Sequence, residues 1–172
     1  MTGKKGIVDP WRVTDAAVPP PARAPTGPRA RVDLDDLALH ADVRVASGHV
    51  FRSELGSVEV KSSRVHGSND ALRDLIGCLF EILARPEGAG LLEDTGIGFL
   101  LGDRHGGAVQ GRSCSSLTTE NGDAPAAQLY FNNLPIAQGM ARLVRLLHAA
   151  RRRLGAAGED TLKRWGVTPL LR

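Results

Sequence analysis

Cysteine is scarce in this chain: Cys78 and Cys114 are its only two among 172 residues. Two thiols exclude a disulfide scaffold and a four-cysteine zinc site. A reducing, cytoplasmic setting is therefore expected, with Cys78 as a small buried hydrophobe and Cys114 as a loop thiol. Aromatics are equally sparse at 4%, so the core must rest on Leu, Val, Ile and Ala. No apolar run approaches the ~20 residues that cross a bilayer. The basic N-terminus is not followed by the apolar segment of a secretory signal. No membrane partner is expected. The five histidines are scattered without a pair at ligand spacing, which argues against zinc. Neither G-x-G-x-x-G nor a Walker A sequence is present, so nucleotide binding through such loops has no support. A G-x-S-x-G nucleophile elbow is also missing.

What is present suits one ordinary domain. Hydrophobic residues make up 42% of the chain and charged residues 24%, enough apolar material for a core at this length. The net charge of +3 is unevenly spread. Residues 1–31 carry +4, residues 32–137 carry −7 and residues 138–172 carry +6. An acidic centre between basic ends suits a site that holds a cation and grips a polyanion around it; it also suits plain surface charge. Residues 1–31 read as a disordered Pro/Arg-rich tail, because Pro19, Pro20, Pro21, Pro25 and Pro28 interrupt a stretch without apolar periodicity. Residues 32–172 read as a single α/β domain.

Within that domain, residues 33–40 suggest a short helix or turn. The runs 42–46, 50–51 and 57–61 alternate apolar with polar residues and predict three short strands in an antiparallel meander. A helix follows, capped by Ser68 or Asn69 with Asp70 in its first turn. Its apolar stripe is Leu72, Leu75, Ile76, Leu79, Phe80 and Leu83, and Pro86 and Gly88 end it. Residues 97–101 predict a fourth strand running into a turn at 103–107, with 108–110 as a possible return strand. Residues 111–126 read as loop and residues 127–131 as a strand. A second helix starts near Asn132 or Asn133, buries Ile136, Met140, Leu143, Val144 and Leu147, and stops at Gly155. Residues 159–172 predict one further helical turn, with Trp165 packing back.

The chemistry-bearing constellation is Asp42 with Glu59-Val60-Lys61. Residues i and i+2 of a strand share a face, so Glu59 and Lys61 point the same way while Val58 and Val60 point inward. If the strand of Asp42 pairs nearby, its carboxylate comes beside Glu59. Two carboxylates and a backbone carbonyl make a hard oxygen site for Mg²⁺, and an adjacent ammonium can orient a water or stabilise a phosphoryl transition state. Glu54 is a rival for the second carboxylate.

The pieces Asp42-Val43-Arg44-Val45 and Ser57-Val58-Glu59-Val60-Lys61-Ser62-Ser63, then a helix and the strand at 96–101, resemble the PD-(D/E)xK superfamily of restriction-endonuclease-like nucleases. The resemblance covers roughly residues 33–105. It implies a central mixed sheet with an αβββαβ core, Mg²⁺ or Mn²⁺ dependence and hydrolysis of phosphodiesters, with DNA as the expected substrate. It also implies that Asp42 and Glu59 bind the metal and that Lys61 assists the attacking water. Fold analogy adds a homodimer, one site for each strand of a duplex.

The basic C-terminal helix carries Arg142, Arg145, Arg152 and Arg153, which can track a phosphate backbone. Two rival readings stand beside hydrolysis. One is a non-catalytic α/β module for protein interaction or assembly, in which Glu59 and Lys61 are an exposed pair of little energetic weight. The other binds nucleic acid without cutting it.

Overall fold

The structure, a computed structural model, describes residues 30–33, 42–45, 48–61, 70–119 and 125–172. The expected tail up to Arg29 lies outside the described residues, as does the expected helix or turn at 33–40 apart from Asp33, which belongs to a strand. Ala30 and Arg31, expected in the tail, belong to a strand. In chain order the elements are β1 (Ala30–Asp33), β2 (Asp42–Val45), β3 (Gly48–Ser53), β4 (Gly56–Val60), α1 (Ala71–Leu83), a short 3₁₀ turn (Pro86–Gly88), β5 (Ile97–Leu101), β6 (Arg104–Gly107), β7 (Cys114–Thr119), β8 (Ala127–Asn132), α2 (Ile136–Leu154), α3 (Ala156–Trp165) and β9 (Val167–Leu171).

The class is mixed α/β. The strands form two sheets rather than one: a four-stranded sheet in the order β1-β3-β4-β9 and a five-stranded sheet in the order β2-β7-β8-β5-β6. Both are mixed, because β1 runs parallel to β3 and β2 runs parallel to β7 while every other pair is antiparallel. The expected meander is half realised. β3 and β4 form the hairpin, with Val50 opposite Glu59 and Ser53 opposite Gly56. β2 leaves it and pairs with β7, more than seventy residues away in sequence.

Alternation sets which faces are buried. Val43 and Val45 of β2, Phe51 of β3, Val58 and Val60 of β4, and Phe99, Leu129 and Phe131 of the five-stranded sheet all enter one hydrophobic cluster. The inner faces of the two sheets therefore look onto shared core, which the helices fill. α1 packs on β8, β5 and β7, α2 packs on β3, β4 and β9, and α3 touches both helices.

The helices follow their stripes with local corrections. Asp70, not Ser68 or Asn69, caps α1: its carboxylate accepts the backbone N–H groups of Leu72 (2.9 Å) and Arg73 (3.1 Å). Ser68 and Asn69 lie outside the described residues. Phe80 and Leu83 are only half-buried, whereas Ile82 is fully buried. The buried side is wider than one stripe because α3 covers a second flank. There the Trp165 ring lies over Gly77, where a Cβ would come within 2.5 Å of it. α2 begins at Ile136, after Pro135, and buries Ile136, Met140, Leu143, Val144 and Leu147 as expected. Gly139 leaves room for Phe131, whose ring a Cβ at that position would overlap.

Three further expectations change. The return strand of the β5 hairpin is Arg104–Gly107, not 108–110. Residues 114–119, expected as loop, are the interior strand β7. The C-terminal stretch holds α3, which starts at Ala156, and the strand β9. On β9 the ladder to β4 runs from Lys61 N–H to Gly166 C=O (3.0 Å) to Arg172 N–H to Leu55 C=O (2.9 Å). With Pro169 opposite Val58, this alternation points the proline nitrogen away from β4. A proline facing outward blunts an edge strand against pairing with another chain.

Glu81 of α1 ties the two C-terminal elements down. Its carboxylate accepts hydrogen bonds from Thr161 Oγ1 (3.1 Å), Trp165 Nε1 (2.9 Å) and both terminal nitrogens of Arg164. Burial alone would raise its pKa, but the hydrogen bonds from Arg164, Trp165 and Thr161 outweigh burial and hold the carboxyl below its ordinary 4.5. A depressed folded-state pKa stabilises the fold above the unfolded value, and that stabilisation is lost as pH falls through the folded value. Thermal melts of wild type between about pH 5 and pH 3 should therefore fall more steeply than those of Glu81→Gln. Parallel curves would show that this carboxylate does not carry acid sensitivity.

Candidate functional site

The sequence-predicted residues occupy four separate places. Glu59 and Lys61 share the outer face of the four-stranded sheet, as their spacing requires: Glu59 is half-buried, Val60 points inward and Lys61 is exposed just past the end of β4. Glu59 sits between Val50 on β3 and Thr168 on β9. Asp42 is on β2 in the other sheet. It is exposed, and its Oδ1 accepts a hydrogen bond from Ser116 Oγ at 2.7 Å. Val43 and Val45 beside Asp42, and Val58 and Val60 beside Glu59, enter the same core, so the two carboxylates point away from that core out of different sheets. The Asp42–Glu59 pair expected for Mg²⁺ or Mn²⁺ is not brought together. The reason is pairing: β2 lies beside β7 instead of joining the hairpin.

Glu54, the rival ligand, is exposed in the turn between β3 and β4. Its backbone oxygen accepts from Arg172 Nη1 at 3.4 Å. It stands at the end of the hairpin away from Glu59. Among the described residues, no three His, Cys, Asp or Glu side chains are grouped to hold a metal ion.

The arginines of α2 are brought together. Arg142, Arg145, Arg152 and Arg153 are all exposed. At 100° per residue they fall within about a third of the helix circumference, opposite the apolar stripe. Arg142 Nη1 donates to the Thr95 carbonyl at 2.9 Å, which fixes that end of the row. Arg151 lies on another side of the helix, 4.0 Å from the Glu159 carboxylate. The neighbouring His148 is held below its usual pKa by burial and then by the charges of Arg151 and Arg152. Arg151, Arg152 and Arg153 also occupy the last turn, where cations complement the helix dipole.

Sequence reasoning missed two groups. Arg52 sits on the outer face of β3, opposite Ser57 and diagonal to Glu59. The alternation of β3 carried that signal, since Arg52 follows Phe51 as Glu59 follows Val58. The second group lies on the five-stranded sheet. Tyr130 packs over Gly98, donates its hydroxyl to the Ala108 carbonyl and meets His105 Nε2 at 2.9 Å. Burial, and then the proximity of Cys114, raises the Tyr130 pKa. Asn132 holds the same segment by accepting from Gly111 N–H and donating to Val109 C=O, both at 2.9 Å. These bonds strap residues 108–111 to β8. No local pattern announced them, because they join residues more than twenty positions apart. Cys78 is buried within α1, and burial pushes its thiol pKa well up. Cys114 is half-buried and opens β7 rather than lying in a loop.

Comparison with known protein families, with curated proteins and with solved structures finds no match to this chain. Among the described residues no helix is long and apolar enough to cross a membrane.

Proposed function

We propose that this chain is a nucleic-acid-binding α/β module that grips a phosphate backbone, with duplex DNA as its favoured partner, through the solvent face of α2. The observation that carries this reading is the exposed row Arg142, Arg145, Arg152 and Arg153. It spans twelve residues, about 16 Å of helix. Among the described residues, Arg145, Arg152 and Arg153 have no hydrogen-bond or ion-pair partner. Guanidinium groups are weakly hydrated and match phosphate oxygens with paired donors, and each phosphate they neutralise releases counterions from the polymer. Binding of this kind needs no metal.

Hydrolysis by Mg²⁺ or Mn²⁺ is the second reading, favoured by the shared outward face of Glu59 and Lys61. The separation of Asp42 weighs against it. In that reading Glu59 contributes a carboxylate to the ion and Lys61 faces the attacking water.

Fluorescence anisotropy with a labelled DNA duplex in EDTA tests the first reading. Binding is expected without metal, and log K should fall with log salt at a slope of about −3 for three neutralised phosphates. Arg145→Gln should reduce that slope by about one. Absence of binding, or binding indifferent to salt, would sink the proposal. A parallel plasmid assay with Mg²⁺ or Mn²⁺ tests the second reading: cutting that is present in wild type and lost in Lys61→Ala would put hydrolysis in place of simple binding.

A further inference from the structure

The outer face of the four-stranded sheet carries a groove of about 290 Å³. Its floor is β4, with Gly56, Ser57 and Glu59, and Arg172 closes one end. Val50 and Arg52 of β3 form one wall, and Leu170 and Leu171 of β9 form the other. α2 packs on this sheet through the buried residues of its inner face, so the groove is a different surface from the arginine row. Leu170 and Leu171 are 42% and 60% exposed and give the groove an apolar side. Arg52 and Glu59 are half-buried diagonal neighbours across the hairpin, within reach of each other for long side chains. Among the described residues they are bound neither to each other nor to any third group. The groove thus presents the opposite charges of Arg52 and Glu59 beside an apolar wall, with Arg172, which donates to the Glu54 carbonyl, at its Gly56 end.

We propose that this groove binds a free apolar α-amino acid as its zwitterion. The carboxylate faces the Arg52 guanidinium, the ammonium faces the Glu59 carboxylate, and the side chain lies against Leu170 and Leu171. A plain anion of similar shape pairs with Arg52 but leaves Glu59 without its partner, and a plain cation is repelled by both Arg52 and Arg172. A longer peptide is disfavoured because its terminal charges sit too far apart to meet both residues. The volume, at the small end of ligand sites, matches a single residue of leucine or phenylalanine size.

The test is calorimetric titration of the full chain with L-leucine, beside two analogues that each lack one charge, 4-methylpentanoate and 3-methylbutylamine. Saturable leucine binding is expected with a Kd of about 0.1–1 mM, and each analogue should bind at least about tenfold more weakly, as should leucine to Arg52→Gln or Glu59→Gln. Leu170→Ser, at an exposed position, removes the apolar wall without touching either charge and should weaken leucine binding while the melting curve stays unchanged. Three results would overturn the proposal: no saturable binding of leucine or phenylalanine up to about 10 mM, equal affinity for 4-methylpentanoate, or leucine affinity unchanged in the folded variants. Since the DNA assay reads α2, failure here leaves that result intact, and the reverse also holds.

Discussion

Phe131→Ala is expected to cost about 3–5 kcal/mol of stability, as truncation of a fully buried aromatic does. Phe131 has no exposed surface and stands on β8 between Ile97 of β5 and Ser115 of β7. Its ring fills the space that Gly139 leaves on α2. It therefore joins the five-stranded sheet to the helix that packs on the other sheet. Removing the ring loses its transfer free energy and opens a cavity that neither the strand nor the helix can close without moving the other. Against a total of about 5–15 kcal/mol for a domain, this is a large fraction of the stability. Urea denaturation should show a lower midpoint with an unchanged slope. In a chain of this size the melting temperature should drop by roughly 6–20 °C. Phe131→Leu keeps most of the volume and should cost clearly less. A cost under about 1 kcal/mol for the alanine variant would mean that the ring does not bridge the two layers.

The triple variant Arg145→Gln, Arg152→Gln and Arg153→Gln is expected to weaken duplex binding roughly a hundredfold or more at about 50 mM salt and to flatten its salt dependence almost completely. The size follows from the mechanism. If the affinity is counterion release at three phosphates, removing the three guanidinium groups removes nearly all of it, whereas a surface that reads bases would keep a salt-insensitive remainder. All three side chains are exposed, so the cost in stability should be small, chiefly the lost complement to the helix dipole at the last turn. Circular dichroism separates that effect from unfolding. An unchanged affinity in a folded triple variant would move the binding surface away from α2.

Much of what positions these surfaces was legible locally. The 3.6-residue stripes of α1 and α2 depend only on neighbours three and four positions apart, and they placed Leu72, Leu75, Ile76 and Leu79, and likewise Met140, Leu143 and Val144, in the core where the structure has them. The same periodicity puts the α2 arginines outward. The period of two in β4 turned Val58 and Val60 inward and Glu59 and Lys61 outward, and the three-residue reach from Ser53 to Gly56 closed the hairpin.

The polar stretch 114–119 was not legible in this way. Cys114-Ser115-Ser116-Leu117-Thr118-Thr119 has the composition of a loop, yet β7 lies between β2 and β8 with Ser115 and Ser116 buried. A buried hydroxyl is tolerated when it is hydrogen-bonded. Ser115 Oγ donates to the Leu134 carbonyl at 2.7 Å, and Ser116 Oγ donates to Asp42 at the same distance. Those partners are distant in sequence, so composition misread the segment.

The sequence by itself therefore determined the secondary elements with strong periodicity, the inward and outward faces of β4 and α2, and the mixed α/β class, because each follows from contacts between near neighbours. Only the tertiary structure decided which strands lie side by side. It placed β2 against β7, made β9 an edge of the four-stranded sheet and separated Asp42 from Glu59. Strand pairing is a contest among distant segments for the same backbone donors and acceptors, and the buried area and hydrogen bonds of the whole assembly settle it, not the pattern of any one strand.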